Sequence, residues 1–304
     1  MLLGDSEKIE RILSENKFDS KRVSIKNTTE VITNDDIPTK AIKTKKDSSM
    51  VVGFNTLKQN CGDVFISCGN TGALLTGATL ILGRIPGIDR PALAPVIPTK
   101  KGGALLIDAG FNTVCRPINY LQFGVMGSIY MKEMFNIEKP RVGLINVGSE
   151  EIKGNETIRQ AYALLSNSNI NFVGNVEGRD LPNGDVDVAV CDGFVGNVLL
   201  KFMEGVGAFI HEGLKEVYYK NFISKFFALL VRNELKKFKK KLDYEEYGGA
   251  PVLGINGTVI KCHGNSNAKS FKKSMLKAYS FAKSTIMEQI KHEICHMEVG
   301  NVGV

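Results

Sequence analysis

Val186-Asp187-Val188-Ala189-Val190-Cys191, followed at once by Asp192-Gly193-Phe194-Val195-Gly196-Asn197, is the stretch on which the fold turns. Its first half is almost continuously apolar, as a strand covered on both faces is. Its second half supplies small, hydrogen-bonding residues, and a helical pattern follows over about 196–216. The same order recurs three times. Asp63–Cys68 leads into Gly69-Asn70-Thr71-Gly72 and a helix over 71–82. Arg141–Val147 leads into Gly148-Ser149-Glu150-Glu151-Ile152-Lys153-Gly154-Asn155 and a helix over 156–166. Thr258–Lys261 leads into Cys262-His263-Gly264-Asn265-Ser266-Asn267 and a helical pattern over 266–296. Further strands are expected at Arg22–Lys26, Gly103–Asp108 and Asn171–Gly174, with a helix over 117–135. This rhythm predicts an α/β fold: a doubly wound, mostly parallel sheet with helices on both faces. A single domain over 1–304 is expected, with a helical excursion at about 208–250.

The turns also predict a ligand. Glycine lets the backbone approach a bound group closely, and the unpaired N–H groups of a helix start favour an anion. In an open parallel sheet the carboxyl ends of the strands line the binding crevice. Gly and Asn are ordinary strand–helix connectors as well, so one such turn says little. Four of them able to share a sheet edge point to a common site. None is a G-x-G-x-x-G with a downstream acid, and none ends in the Gly-Lys-Ser/Thr of a P-loop. No nucleotide cofactor is expected, and a small anion such as phosphate fits better.

Composition narrows the class. Of the 304 residues, 43% are hydrophobic and 23% charged, which excludes disordered, collagenous and disulfide-scaffold chains. No apolar run reaches the roughly 18 residues of a membrane span. The start Met1-Leu2-Leu3-Gly4-Asp5 lacks the basic flank of an export signal. Six cysteines without CxxC pairs are expected to be reduced, as in the cytoplasm. The net charge of +7 is carried by Lys215–Lys241, with nine Lys/Arg and two Glu; the remainder is neutral. Without Trp, and without a nucleic-acid module around that segment, no nucleic-acid partner is expected.

The candidates for chemistry are few. There is no G-x-S-x-G elbow, and of four histidines only His263 lies in one of the turns. His292-Glu293-Ile294-Cys295-His296 fits the H-E-x-x-H zinc pattern formally. It closes a helix whose core face is expected from Phe271, Met275, Tyr279, Ile286, Ile290 and Ile294, so a solvated terminal helix is preferred and no metal is assigned. Lys153 would face the crevice as an ammonium, or else lie free in solvent. Asn197 is either a cap or a site residue. Arg84, Asp89, Arg90, Asp108 and Arg116 form a charged set in which some ion pairs are structural. In 218–241, Phe222, Ile223, Phe226, Phe227 and Leu230 share an apolar stripe with Val231, Leu235 and Phe238, opposite Lys225, Arg232, Lys236 and Lys239. Such a basic amphipathic helix suits an anionic membrane surface, a packed surface helix or a dimer contact.

Ser67-Cys68-Gly69-Asn70-Thr71-Gly72-Ala73-Leu74 and Gly83-Arg84-Ile85-Pro86-Gly87-Ile88-Asp89-Arg90-Pro91-Ala92-Leu93-Ala94-Pro95 resemble the bacterial phosphate acyltransferase family of phospholipid synthesis. Further blocks at Gln122–Tyr130, Arg141–Asn155, Ile170–Asp180, Val190–Lys201, Tyr247–Gly254 and Lys261–Asn267 follow in the family's order. Family members usually carry an additional first strand and an Asp-Ala-Met-Gly-Gly-Asp motif; Met1–Asp5 matches their second strand. The resemblance implies attack by inorganic phosphate on the thioester of acyl-acyl carrier protein, with no enzyme nucleophile and no cofactor. It implies catalytic roles for Lys153 and Asn197. Gly69, Asn70, Thr71, Gly72, Asp192, Gly193, Gly196, His263, Gly264, Asn265 and Ser266 would line the phosphate and acyl-substrate cleft. It further implies a cytoplasmic homodimer resting on the inner face of the membrane. There it would hand its product to a membrane glycerol-3-phosphate acyltransferase, with 218–241 as the contact. The rivals are a phosphotransacetylase-like enzyme using acyl-CoA, a decarboxylating dehydrogenase, which would need a metal-binding Asp trio not evident here, and a membrane-binding protein without activity.

Overall fold

A computed structural model of the chain describes residues 1–16, 18–235, 238 and 244–297. Its strands are β1 (Leu2–Gly4), β2 (Ile25–Asn27), β3 (Val64–Ser67), β4 (Ala92–Leu93), β5 (Val96–Thr99) and β6 (Gly102–Ile107). They continue with β7 (Val142–Ile145), β8 (Phe172–Val176), β9 (Val188–Val190), β10 (Ala250–Leu253) and β11 (Thr258–Lys261). The helices are α1 (Ser6–Ser14), α2 (Pro38–Thr44), α3 (Ser49–Lys58), α4 (Thr71–Gly77, prolonged by a π turn at Ala78–Leu82) and α5 (Pro117–Phe135). After these come α6 (Glu156–Ser166), α7 (Gly193–Tyr219), α8 (Phe222–Leu230), α9 (Ala268–Ala282) and α10 (Ile286–His296).

The alternation seen in the sequence is present, but the strands form three sheets. The largest has the order β5-β6-β9-β7-β8 and is parallel except for β5. The second runs β3-β11-β10-β4, with only β3 and β11 parallel. The third is the parallel pair β1-β2. Among the described residues β1 pairs only with β2 and β3 only with β11, leaving one edge of each open. A cavity of about 1070 Å³ lies between them, lined by Leu2, Leu3, Phe65 and Ile66 of the strands and by Met50 of α3 and Tyr279 of α9.

The core follows from the strands. Leu105, Ile107, Val142, Leu144, Val188 and Val190 are fully buried, as the uninterrupted apolar runs require. The same apolar cluster takes in Leu253 and Ile260 of the second sheet, so the two larger sheets share one core. Helix α5 crosses it with Phe123, Met126, Tyr130 and Met131 inside.

The expected helix over 266–296 is two helices, broken at Lys283–Thr285. Its second half buries Ile286, Ile290 and Ile294 as anticipated. Its first half does not bury Met275 and Tyr279, which stay exposed along the β1–β3 cavity. The buried face there is Ser270, Ser274, Ala278 and Phe281. The small residues let α9 sit close against β3 and β11, and this outweighs the hydrophobic pattern.

Candidate functional site

The parallel ladders place the four turns in two pairs. Strands β7 and β9 are neighbours, so the Lys153 turn and the Asn197 turn leave the same edge side by side. Strands β3 and β11 are neighbours in the second sheet, which pairs the Gly69–Gly72 turn with the His263–Ser266 turn. Helix α7 links the pairs: Glu204 takes Lys201 Nζ at 2.8 Å and stands 4.0 Å from His263 Nε2. The single shared edge anticipated from the sequence is therefore two edges, one on each of the larger sheets.

Each turn contains an Asn or Asp that caps the next helix. Asn70 accepts from Ala73 N–H at 2.9 Å, Asn155 from Ile158 N–H at 3.0 Å, Asp192 from Val195 N–H at 2.9 Å and Asn267 from Ser270 N–H at 3.0 Å. Asn197 is thus not a cap. It lies inside the second turn of α7 with an exposed side chain, and its carboxamide fills the space that a Cβ on Gly110 would occupy, 2.7 Å from Nδ2. Gly110 has φ +127, a conformation side-chain-bearing residues rarely adopt.

The Lys153 turn is fastened by residues the sequence did not flag. Asn146 Nδ2 donates to Lys153 O at 3.1 Å, Asn175 Nδ2 donates to Glu150 O at 2.9 Å, and Lys153 N–H donates to Glu150 O at 3.1 Å. Gly154, at φ +86, turns the chain into α6. The backbone is held while the Lys153 ammonium remains half exposed, 3.9 Å from Glu150.

The other anticipated residues divide. Gly193 and Gly196 are buried, and their N–H groups donate to Asn112 O and Asp192 O. A Cβ on Gly196 would stand 1.9 Å from Asp108 O. Both pack closely against the Asp108–Asn112 loop, and their N–H groups are already engaged. Asp192 is engaged as the cap and accepts from Tyr120 Oη at 3.3 Å. Asn70 also donates to Thr33 O and Asn34 O, whereas Thr71 and Gly72 occupy the first turn of α4, where amides have no intrahelical acceptor. His263 accepts from Asn265 N–H at 3.2 Å and its carbonyl from Ser266 N–H at 3.1 Å; Gly264 has no neighbour where a Cβ would point.

Beneath Asn197 lies Asp108, fully buried. Its carboxylate accepts from Leu93 N–H at 2.9 Å, Phe111 N–H at 3.1 Å, Asn112 N–H at 2.6 Å and Asn112 Nδ2 at 2.9 Å. Burial nevertheless pushes its pKa up to about 6. The rest of the charged set is separate: Asp89 pairs with Arg116 at 2.7 Å and Arg84 at 3.9 Å. Burial also raises the thiols of Cys115 to about 12 and Cys262 to about 11, and that of Cys191 well above its usual value, so all three stay protonated. Among the described residues no group of three or more His, Cys, Asp or Glu is placed to hold a metal ion.

Past Gly196 α7 buries nothing further, and Phe202, Phe209, Val217 and Tyr219 are exposed. On α8 Phe222, Ile223, Phe226 and Leu230 are exposed as well. The side chains of Lys225 and Phe227, together with Lys236, Lys237 and Lys239–Lys241, lie outside the described residues.

Residues 1–289 match the family model described as fatty acid synthesis protein. The chain is 57% identical over 302 residues to the phosphate acyltransferase of Acetivibrio thermocellus, covering 99% of this chain and 89% of the relative. It is 53% identical over 274 residues to that of Thermoanaerobacter pseudethanolicus, covering 90% and 82%. Among solved structures it is similar to a phosphotransacetylase from Streptococcus pyogenes, with TM-score 0.56, 16% identity and coverage of 92% and 84%. The EutD phosphotransacetylase from Staphylococcus aureus gives TM-score 0.55, 13% identity and coverage of 93% and 86%. At such identities these two likenesses concern the fold alone.

Proposed function

The chain belongs to the fatty acid synthesis protein family, among its phosphate acyltransferases, and we propose that it moves a fatty acyl group from acyl carrier protein to inorganic phosphate. It is an acyltransferase, and acyl transfer to phosphate in lipid synthesis is its activity. A phosphate oxygen attacks the thioester carbon, the carbon–sulfur bond breaks, and the proton of hydrogenphosphate passes to the departing carrier thiol. Phosphate is the nucleophile, so the enzyme's task is to hold a polyanion against a carbonyl and stabilise the oxyanion that forms. Lys153 neutralises the phosphate. Asn197 donates to the carbonyl oxygen as charge develops on it, and one such donor contributes about 3–4 kcal/mol. Thr71 and Gly72, with the turn at Gly264, Asn265 and Ser266, line the opposite side of the cleft.

The observation that carries this reading is that Lys153, on the turn after β7, and Asn197, in the second turn of the helix after β9, are both exposed and follow adjacent parallel strands. The test is steady-state kinetics of Lys153→Ala and Asn197→Ala with acyl-acyl carrier protein and phosphate. Each is expected to lose about 100-fold or more in kcat/KM; values within about threefold of the parent in either variant would remove that residue from the mechanism.

The reading extends to location and assembly. The protein is a cytoplasmic homodimer that rests on an anionic membrane surface and delivers its acyl phosphate to a membrane glycerol-3-phosphate acyltransferase. Support comes from the exposed Phe222, Ile223, Phe226 and Leu230 beside the only strongly basic stretch of the chain. Phe227 shares that stripe by sequence.

A further inference from the structure

We infer that Asp108 is a positioning residue for acyl transfer, setting the place of the Asn197 carboxamide through the loop Asp108–Asn112; this rests on the role given to Asn197 above. The loop is where the largest sheet and the start of α7 are joined. Asp108 N–H donates to Cys191 O at 3.0 Å and Cys191 N–H to Ile107 O at 2.8 Å, which ties β6 to the end of β9. Gly193 N–H, at the head of α7, donates to Asn112 O at 2.7 Å. The Asp108 carboxylate closes this arrangement from below. It draws the N–H groups of Phe111 and Asn112 inward and binds the Asn112 side chain, whose Nδ2 also donates to Pro91 O at 2.7 Å. The loop so gathered puts Gly110 under Asn197 and the Asp108 carbonyl against Gly196.

A carboxylate is an unfavourable way to fill such a space. Taken out of water it needs a partner, and no basic side chain contacts Asp108 among the described residues; it is held by N–H donors alone. Only an acceptor with two oxygens can receive Leu93 N–H on one side and Asn112 N–H on the other. Asparagine would turn an N–H group against one of these donors and release the loop. A local rule broken at this point, directly under a site residue, marks a functional demand rather than a packing one.

The experiment is a double-mutant cycle of Asp108→Asn and Asn197→Ala in the full chain, with kcat and the KM for phosphate measured alongside thermal midpoints. Asp108→Asn is expected to lower kcat by about tenfold or more while KM stays within about threefold. In the Asn197→Ala background it should have no further effect on kcat beyond about threefold. Losses that multiply in the double variant, or a kcat in Asp108→Asn within about twofold of the parent, would overturn the inference. An Asn197→Ala variant with full activity would instead remove the role of Asn197 itself. Should Asp108→Asn fail to fold, Asn112→Ala takes its place in the cycle. It keeps the carboxylate and removes two loop bonds, and the same non-additivity with Asn197→Ala is expected; multiplying losses would again refute it.

Discussion

Asn197 shows how far single residues could be read. An Asn at a helix start is usually a cap, but here Asp192 holds that place, and Asn197 is left exposed with its carboxamide over Gly110. Lys153 was equally visible as a lysine between turn glycines. Of the residues that hold the site, Asn146 and Asn175 were not visible and Asp108 only as one of a charged set. Asp108, Asn146 and Asn175 are single polar residues at strand ends, and their meaning lies in bonds to backbone groups brought near only by the sheet. Lys277 was also hidden. Its Nζ is buried without a hydrogen-bond partner, over the Tyr130 ring at 5.6 Å, and burial pushes its pKa down to about 7. Between about pH 7 and the ordinary lysine value near 10.4 the unfolded chain binds a proton that the folded chain does not, so this residue makes stability rise with pH across that window. Lys277→Met should therefore raise stability at pH 7 by about 1–4 kcal/mol and flatten the rise between pH 7 and 10 in denaturant titrations. An unchanged slope, or a loss of stability, would show that the amine has a partner in solution.

Elements were legible where one physical signal dominated. β6, β7 and β9 announced themselves by unbroken apolar runs, and α5 and α6 by their length and pattern. β5 and β10 were missed because Pro98 and Pro251 interrupt them; β5 is an antiparallel edge strand, where proline is tolerated, and in β10 Pro251 precedes Val252 and Leu253, the residues that pair with β4. α3 was missed because Val51, Val52 and Gly53 are poor helix formers; burial of Met50, Phe54 and Leu57 overrides that. Within α7 the same residue type has opposite uses. At Gly196 a Cβ would collide with the Asp108 carbonyl, whereas at Gly205 nothing lies within 4 Å. Gly205→Ala is expected to stabilise by about 0.4–1 kcal/mol. Gly196→Ala should destabilise by about 1–3 kcal/mol and lower kcat as α7 shifts. Equal effects in thermal melts would contradict the docking of α7 on the Asp108 loop.

For the molecule as a whole, the sequence conveyed the α/β class and the strand-end turns but not the division into sheets, because the period of a strand does not name its neighbour. The placing of the four turns depends on that division, since two follow strands of one sheet and two follow strands of another. The exposed aromatic residues past Gly196 belong to the same scale. Phe222 is 84% exposed, a cost in water that a lipid surface would remove. Flotation with anionic vesicles should recover the parent protein and lose Phe222→Asp/Phe226→Asp, with kcat on soluble donor unchanged. Equal flotation of both would sever this segment from the membrane.

The proposed reaction is attack by phosphate on an acyl thioester carried by a protein, with Lys153 and Asn197 as the acting residues. Its most direct test is acyl phosphate formation, trapped as the hydroxamate, from phosphate and either palmitoyl-acyl carrier protein or palmitoyl-CoA. The prediction is phosphate-dependent hydroxamate with the carrier protein as the preferred donor, lost in Lys153→Ala. Preference for the CoA thioester would make the chain phosphotransacetylase-like, and folded protein that binds vesicles but forms no acyl phosphate from either donor would contradict the account.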